Sequence, residues 1–90
     1  MAWTLRFTET ALKQLKKLDK QTSDLITRVL EQKIARTADP HLFGKALTGE
    51  LRGYWRYRIG DYRIICELKD QELIILVLAI GHRREIYKRK

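Results

Sequence analysis

Arg56, Arg58 and Arg63 fall within one short stretch, Trp55-Arg56-Tyr57-Arg58-Ile59-Gly60-Asp61-Tyr62-Arg63. Gly60-Asp61 reads as the two-residue loop of a β-hairpin, with glycine at the first central position of a type II′ turn. Such a loop sets Ile59 opposite Tyr62, Arg58 opposite Arg63, Tyr57 opposite Ile64, Arg56 opposite Ile65 and Trp55 opposite Cys66. Side chains alternate along a strand, so Trp55, Tyr57, Ile59, Tyr62, Ile64 and Cys66 share one face. Arg56, Arg58, Arg63 and Ile65 share the other, and the same alternation adds Tyr54. Like charges directly opposite one another destabilise a sheet. The facing pair Arg58 and Arg63 therefore points to an anionic ligand. A guanidinium fork matches two phosphate oxygens, so this face is expected to grip a phosphate backbone. Tyr54 is placed to stack on a base, whereas Trp55 and Tyr57 fall on the core side.

The hairpin needs a scaffold, and the rest of the chain supplies one. Trp3, Leu5 and Phe7 alternate with Thr4 and Arg6 as a short half-buried strand. Thr8 is a candidate N-cap, with Glu9 in the first turn of the helix that follows. Ala11, Leu12, Leu15 and Leu18 recur at helical spacing while Lys13, Lys16, Lys17 and Lys20 point outward. A second helix is expected from near Gln21 or Thr22, burying Leu25, Ile26, Val29, Leu30 and Ile34 and ending before Pro40. Residues 41–53, punctuated by Gly44, Gly49 and Gly53, read as irregular. After the hairpin and a polar turn at Lys69–Glu72, the run Leu73–Ile80 is apolar on both alternating faces and reads as a central strand. Gly81–Lys90 is a basic tail, either a short helix or an extended arm. The expected fold is α+β: an N-terminal strand, an antiparallel helical hairpin, then a three-stranded antiparallel meander. The helices pack on one face of a curved sheet and the arginines occupy the other.

Composition narrows the class. Ninety residues make a single domain spanning 1–90 with one modest core. The net charge of +8, from 19 Lys and Arg against 11 Asp and Glu, suits nucleic acid or an acidic partner. Cys66 is the one cysteine, which excludes a disulfide framework and a cysteine-based metal site. It falls on the apolar hairpin face as a small core residue. His41 has no companion ligand pattern. The N-terminus lacks the apolar run of a signal peptide. The eight apolar residues Leu73–Ile80 are far short of the ~20 that cross a bilayer. A cytoplasmic protein without a membrane partner is expected.

The whole chain resembles the RelE/ParE toxin superfamily of bacterial toxin–antitoxin systems, and its RelE branch in particular. The likeness rests on Trp3-x-Leu5-x-Phe7, the helical hairpin, Leu47-x-Gly49-x-Leu51-x-Gly53, the Trp55–Arg63 string and Gly81-His82-Arg83-Arg84-Glu85-Ile86-Tyr87. The resemblance implies a RelE-like fold and a type II toxin acting as a ribosome-dependent endoribonuclease. Such toxins cut mRNA in the ribosomal A site by attack of a 2′-OH on the adjacent phosphate, without a metal or other cofactor. The residues it implies as catalytic are Arg63, Arg83 and Tyr87, with Arg56 and Arg58 binding the backbone. Relatives carry lysines where this chain has Arg56 and Arg58. Arginine stays protonated in proteins, so neither can act as a base here. Implied partners are a cognate RelB-like antitoxin, mRNA in the A site, and rRNA.

Cleavage through a 2′-OH needs a proton acceptor, neutralisation of the crowded phosphorane charge, and help for the leaving 5′-oxygen. Guanidinium groups suit the second need. For proton transfer the neighbouring groups are Tyr87, which the family precedent favours, and His82, which is able to act near neutral pH. Glu85 is better read as an arginine partner. Two other readings share the fold or the charge. One is a ParE-like inhibitor of DNA gyrase. The other is a catalytically degenerate RNA-binding homologue, kept open by the lysine-to-arginine departures.

Overall fold

The computed structural model describes residues 3–82. Its elements are β1 (Thr4–Phe7), α1 (Glu9–Lys16), α2 (Lys20–Val29), β2 (Lys45–Ala46), β3 (Trp55–Ile59), β4 (Tyr62–Lys69) and β5 (Ile74–His82). A wider π-helical turn, Leu30–Ile34, extends α2, and single 3-10 turns occupy Pro40–Leu42 and Gly49–Leu51. The five strands form one sheet in the order β1-β5-β4-β3-β2. The expected helical hairpin and β3-β4-β5 meander are present, and the sheet is wider than that meander. β1 joins β5 in parallel, and β2 joins β3 antiparallel through Lys45 and Ala46. The segment 41–53 is thus more regular than expected. β5 also runs past Ile80, so Gly81 and His82 belong to a strand and not to the tail.

Local chemistry explains the element ends. Thr8 caps α1 as expected, its Oγ1 accepting from the Ala11 amide at 3.1 Å. α2 begins slightly before the expected point because Asp19 is its cap. Asp19 accepts from the Thr22 amide at 3.2 Å and the Thr22 hydroxyl at 2.7 Å, and these bonds hold its carboxyl below the ordinary aspartate range. At the far end of the helical pair, the Ala35 carbonyl accepts from the Trp3 amide at 2.7 Å, tying the helices back to β1.

The core lies between the helices and one sheet face. Ala11, Ile26, Leu30 and Ile34 from the helices meet Tyr57, Ile59, Ile64, Cys66, Ile75, Val77 and Ile80. Burial pushes the Cys66 thiol well above its usual pKa, so it packs as a neutral side chain. The Tyr57 hydroxyl donates to the Pro40 carbonyl at 2.8 Å, which satisfies it and pins the 3-10 turn to the sheet. That turn carries His41, bonded through Nδ1 to Asp39 at 2.8 Å and edge-on to the Trp55 ring at 4.9 Å.

One feature of the sheet shapes the functional face. β1 pairs with β5 only over Ile74–Val77. Beyond it, α1 takes the place of a strand. The Thr8 hydroxyl donates to the Leu78 carbonyl at 3.2 Å, and Gln14 Oε1 accepts from the Ile80 amide at 2.7 Å. A bulge in the β4–β5 pairing sits at the same level, between Ile65 and Cys66, bending the strands there.

Candidate nucleic-acid interface

The β3–β4 register is the one the turn dictates: Arg58 lies opposite Arg63, Arg56 opposite Ile65 and Tyr57 opposite Ile64. Gly60 has φ of 59°, and Asp61 is absent from the residues with positive φ, in keeping with a type II′ turn. Directly opposed side chains have Cβ atoms about 5 Å apart, so two arginine side chains leave the sheet from neighbouring positions on one face. The alternation puts Tyr57, Ile64 and Cys66 into the core and leaves Arg56, Arg58 and Arg63 on the opposite face.

The pairing of β2 adds a residue that the sequence did not reveal. Lys45 is the cross-strand partner of Arg56, so it extends the cationic row across a further strand. Its strand is two residues long and has no readable periodicity. The only local sign is Gly44 before it. Gly44 has φ of 120°, and a Cβ there would collide with the Arg56 carbonyl and the Trp55 and Tyr57 rings. This glycine lets the chain come close enough to pair.

Among the described residues the row has no counter-charge. Among the described residues the ion pairs are Lys20–Asp24, His41–Asp39, His41–Asp70 and Lys69–Glu67, and none includes Lys45, Arg56, Arg58 or Arg63. The Nε atoms of Arg56 and Arg63 are sealed from solvent without a hydrogen-bond partner among the described residues. A buried donor in that state costs about 1–3 kcal/mol. Here that cost accompanies like-charge repulsion. The arrangement is suited to an anion with several oxygens, which relieves the repulsion and accepts from the fork-shaped donors.

Next to the row, a cavity of about 850 Å³ opens between α1 and the second half of β5. It is lined by Tyr54 and Leu51 from the loop before β3, by Ile65, Ala79 and Gly81 from the sheet, and by Gln14 and Leu18 from the α1 side. Ile65 and Gly81 are the cross-strand partners of Arg56 and Arg63, so this apolar hollow lies one strand away from the positions that carry the arginines. Tyr54 is half-buried at that boundary. His82 is placed differently from the arginines. It pairs with Tyr62 and meets its ring edge-on at 5.7 Å, on the face away from Arg63, although it also borders the cavity. The register thus sets Arg56, Arg58 and Arg63 on one face, while Tyr54 and His82 both border the cavity beside it. Arg83 and Tyr87 lie outside the described residues. No three His, Cys, Asp or Glu side chains gather as metal ligands among the described residues. No helix among them is long and apolar enough to cross a membrane.

Known proteins share both this sequence and this architecture. The family described as "ParE toxin of type II toxin-antitoxin system, parDE" matches residues 5–87. Toxin RelG of Mycobacterium tuberculosis is 33% identical over 89 residues, covering 99% of this chain and 100% of the relative. The toxin–antitoxin complex RelBE2 from the same organism contains a chain that superposes with a TM-score of 0.85 at 29% identity, covering 94% of this chain and 95% of that one. A mutant of Escherichia coli toxin RelE in the free state shares the fold at a TM-score of 0.75 and 20% identity, covering 96% and 88% of the two chains. A five-stranded sheet with two helices on one face and a cationic row on the other thus accompanies a match along nearly the whole sequence, and the chain belongs to the RelE/ParE superfamily of toxins of type II toxin–antitoxin systems.

Proposed function

We propose that this toxin is a ribosome-dependent endoribonuclease that cleaves mRNA in the A site and so stops translation. The observation that carries the reading is the forced pairing of Arg58 with Arg63, flanked by Arg56 and Lys45 and with no counter-charge among the described residues. Arg56 and Arg58 hold the backbone. Arg63, together with Arg83, neutralises the charge that builds on phosphorus as the 2′-oxygen attacks. The O2′–P bond forms and the P–O5′ bond breaks, leaving a 2′,3′-cyclic phosphate and a free 5′-hydroxyl. Tyr87 takes the 2′-hydroxyl proton. His82 is a candidate to protonate the leaving oxygen. The partners of this reading are mRNA and rRNA on the ribosome, and a RelB-like antitoxin. RelBE complexes of relatives support that last assignment.

Primer extension on a reporter mRNA after induced expression tests the reading. Discrete cleavages in translated codons are expected, with Arg63→Ala, Arg83→Ala and Tyr87→Phe each strongly reduced. Equal cleavage by these variants and the wild type would overturn the site. The alternative reading is inhibition of DNA gyrase. Loss of supercoiling activity without any mRNA cleavage would establish that instead.

A further inference from the structure

A smaller groove of about 380 Å³ lies at the open edge of β3. β2 pairs only with Trp55 and Arg56, so no described strand covers β3 from Tyr57 to Ile59. Tyr57 and Ile59 form the hydrogen-bonded pairs with β4, which turns the Arg58 backbone N–H and carbonyl toward this edge. Val29, Ile34 and Phe43 form an apolar floor, and Lys33, Lys45 and Arg58 stand around it. Among the described residues the lining contains no acidic side chain. Lys33 Nζ lies 5.2 Å from the centre of the Phe43 ring, and neither lysine has an ion pair among the described residues. Because Lys45 is paired to Arg56, the groove continues the arginine row without a break in charge.

We propose that this groove is a subsite for the single-stranded RNA next to the cleaved phosphate. One flanking base or ribose packs on Phe43, Ile34 and Val29, while Lys33 and Lys45 neutralise flanking phosphates. This rests on the RNA-cleaving reading of the arginine face. Sites for single-stranded nucleic acid combine a cationic track with apolar or aromatic surface, and this edge offers both. An acidic extended peptide would meet the same cations. The continuity with a row shaped for phosphate favours RNA.

Fluorescence anisotropy at low salt, with non-cleavable 2′-O-methyl oligonucleotides of about three and about six nucleotides, provides the test. The longer probe is expected to bind the full chain about tenfold more tightly. The double variant Lys33→Gln/Lys45→Gln should erase that advantage and flatten the salt dependence of the longer probe by about 1.4 log units per log unit of salt, while Lys33→Gln alone, outside the arginine row, leaves the shorter probe unchanged. Phe43→Leu, a milder change to the floor, should reduce the advantage without altering the salt slope, and circular dichroism confirms that each variant is folded. Equal binding of both probes by the wild type, binding of neither, or an advantage that survives the double variant overturns the subsite. Reporter cleavage measured in parallel keeps that outcome separate from failure of the nuclease reading. Capture of poly-L-glutamate with no length effect for RNA would assign the groove to an acidic protein segment, and also overturns it.

Discussion

On the core face of the β3–β4 hairpin, Tyr57, Ile64 and Cys66 are sealed, and the tyrosine hydroxyl has its acceptor. One residue along each strand, the opposite face holds Arg56, Arg58 and Arg63, and the Nε atoms of Arg56 and Arg63 are buried and unpaired among the described residues. The same backbone serves both. The core face also keeps one unpaired buried donor among the described residues, the Trp55 Nε1, but it carries no charge. A face selected for a ligand leaves donors unsatisfied and charges in opposition, because the partner arrives later. Stability and activity should therefore separate cleanly between alternate residues of the same two strands.

The strongest break of this comparison comes from neighbouring residues of β4. Ile64→Ala, within the core, should lower stability by about 2–5 kcal/mol, read by urea denaturation, with cleavage per folded molecule preserved. Arg63→Ala should do the reverse, reducing mRNA cleavage about 100-fold or more with little change in the urea midpoint. If either variant moved both quantities together, the two faces would not be independent.

Tyr57→Phe sharpens the account of the core face. It removes one of the two hydrogen bonds that the Pro40 carbonyl accepts, leaving the one from the Phe43 amide at 3.2 Å, and should cost about 0.5–1.5 kcal/mol. On the other face, Arg58→Thr removes one member of the like-charged pair and adds a strand-favouring side chain. Stability should rise by a few tenths of a kcal/mol while RNA binding weakens. A fall in stability would mean that Arg58 has a structural partner.

The smallest effect belongs to pH. Hydrogen bonds from the His41 ring and amide hold the Asp39 carboxyl below its ordinary range. A depressed pKa means that the folded state favours the carboxylate. The stabilisation is therefore present above the unfolded aspartate value of about 3.9 and lost as pH falls through the folded one. Below about pH 4 the wild type should lose melting temperature slightly faster than Asp39→Asn. Parallel acid profiles of the two would remove this role from Asp39.

Much of the hairpin was legible because two local rules determine it. A Gly-Asp loop fixes the register, and alternation then assigns every side chain to a face. The caps at Thr8 and the stripe through Ile26 and Leu30 were readable for similar reasons. What stayed hidden depended on contacts between distant segments. The parallel pairing of Thr4–Phe7 with Ile74–Val77 has no local turn to announce it. Lys45 joined the cationic row only through a two-residue strand, too short for any period to show. His82 was expected in the tail, and the extension of β5 past Ile80 instead sets it beside Tyr62 at the rim of the cavity.

Gln14 has an effect beyond closing a sheet edge. Its amide oxygen is the acceptor for Ile80, and the same side chain lines the larger hollow. Drawing α1 outward to admit a bulkier guest would strand that backbone donor, at about 1–3 kcal/mol. The gap between helix and strand thus behaves as a fixed gauge. Guests that fit enter freely, and oversized ones pay a penalty before making their first contact.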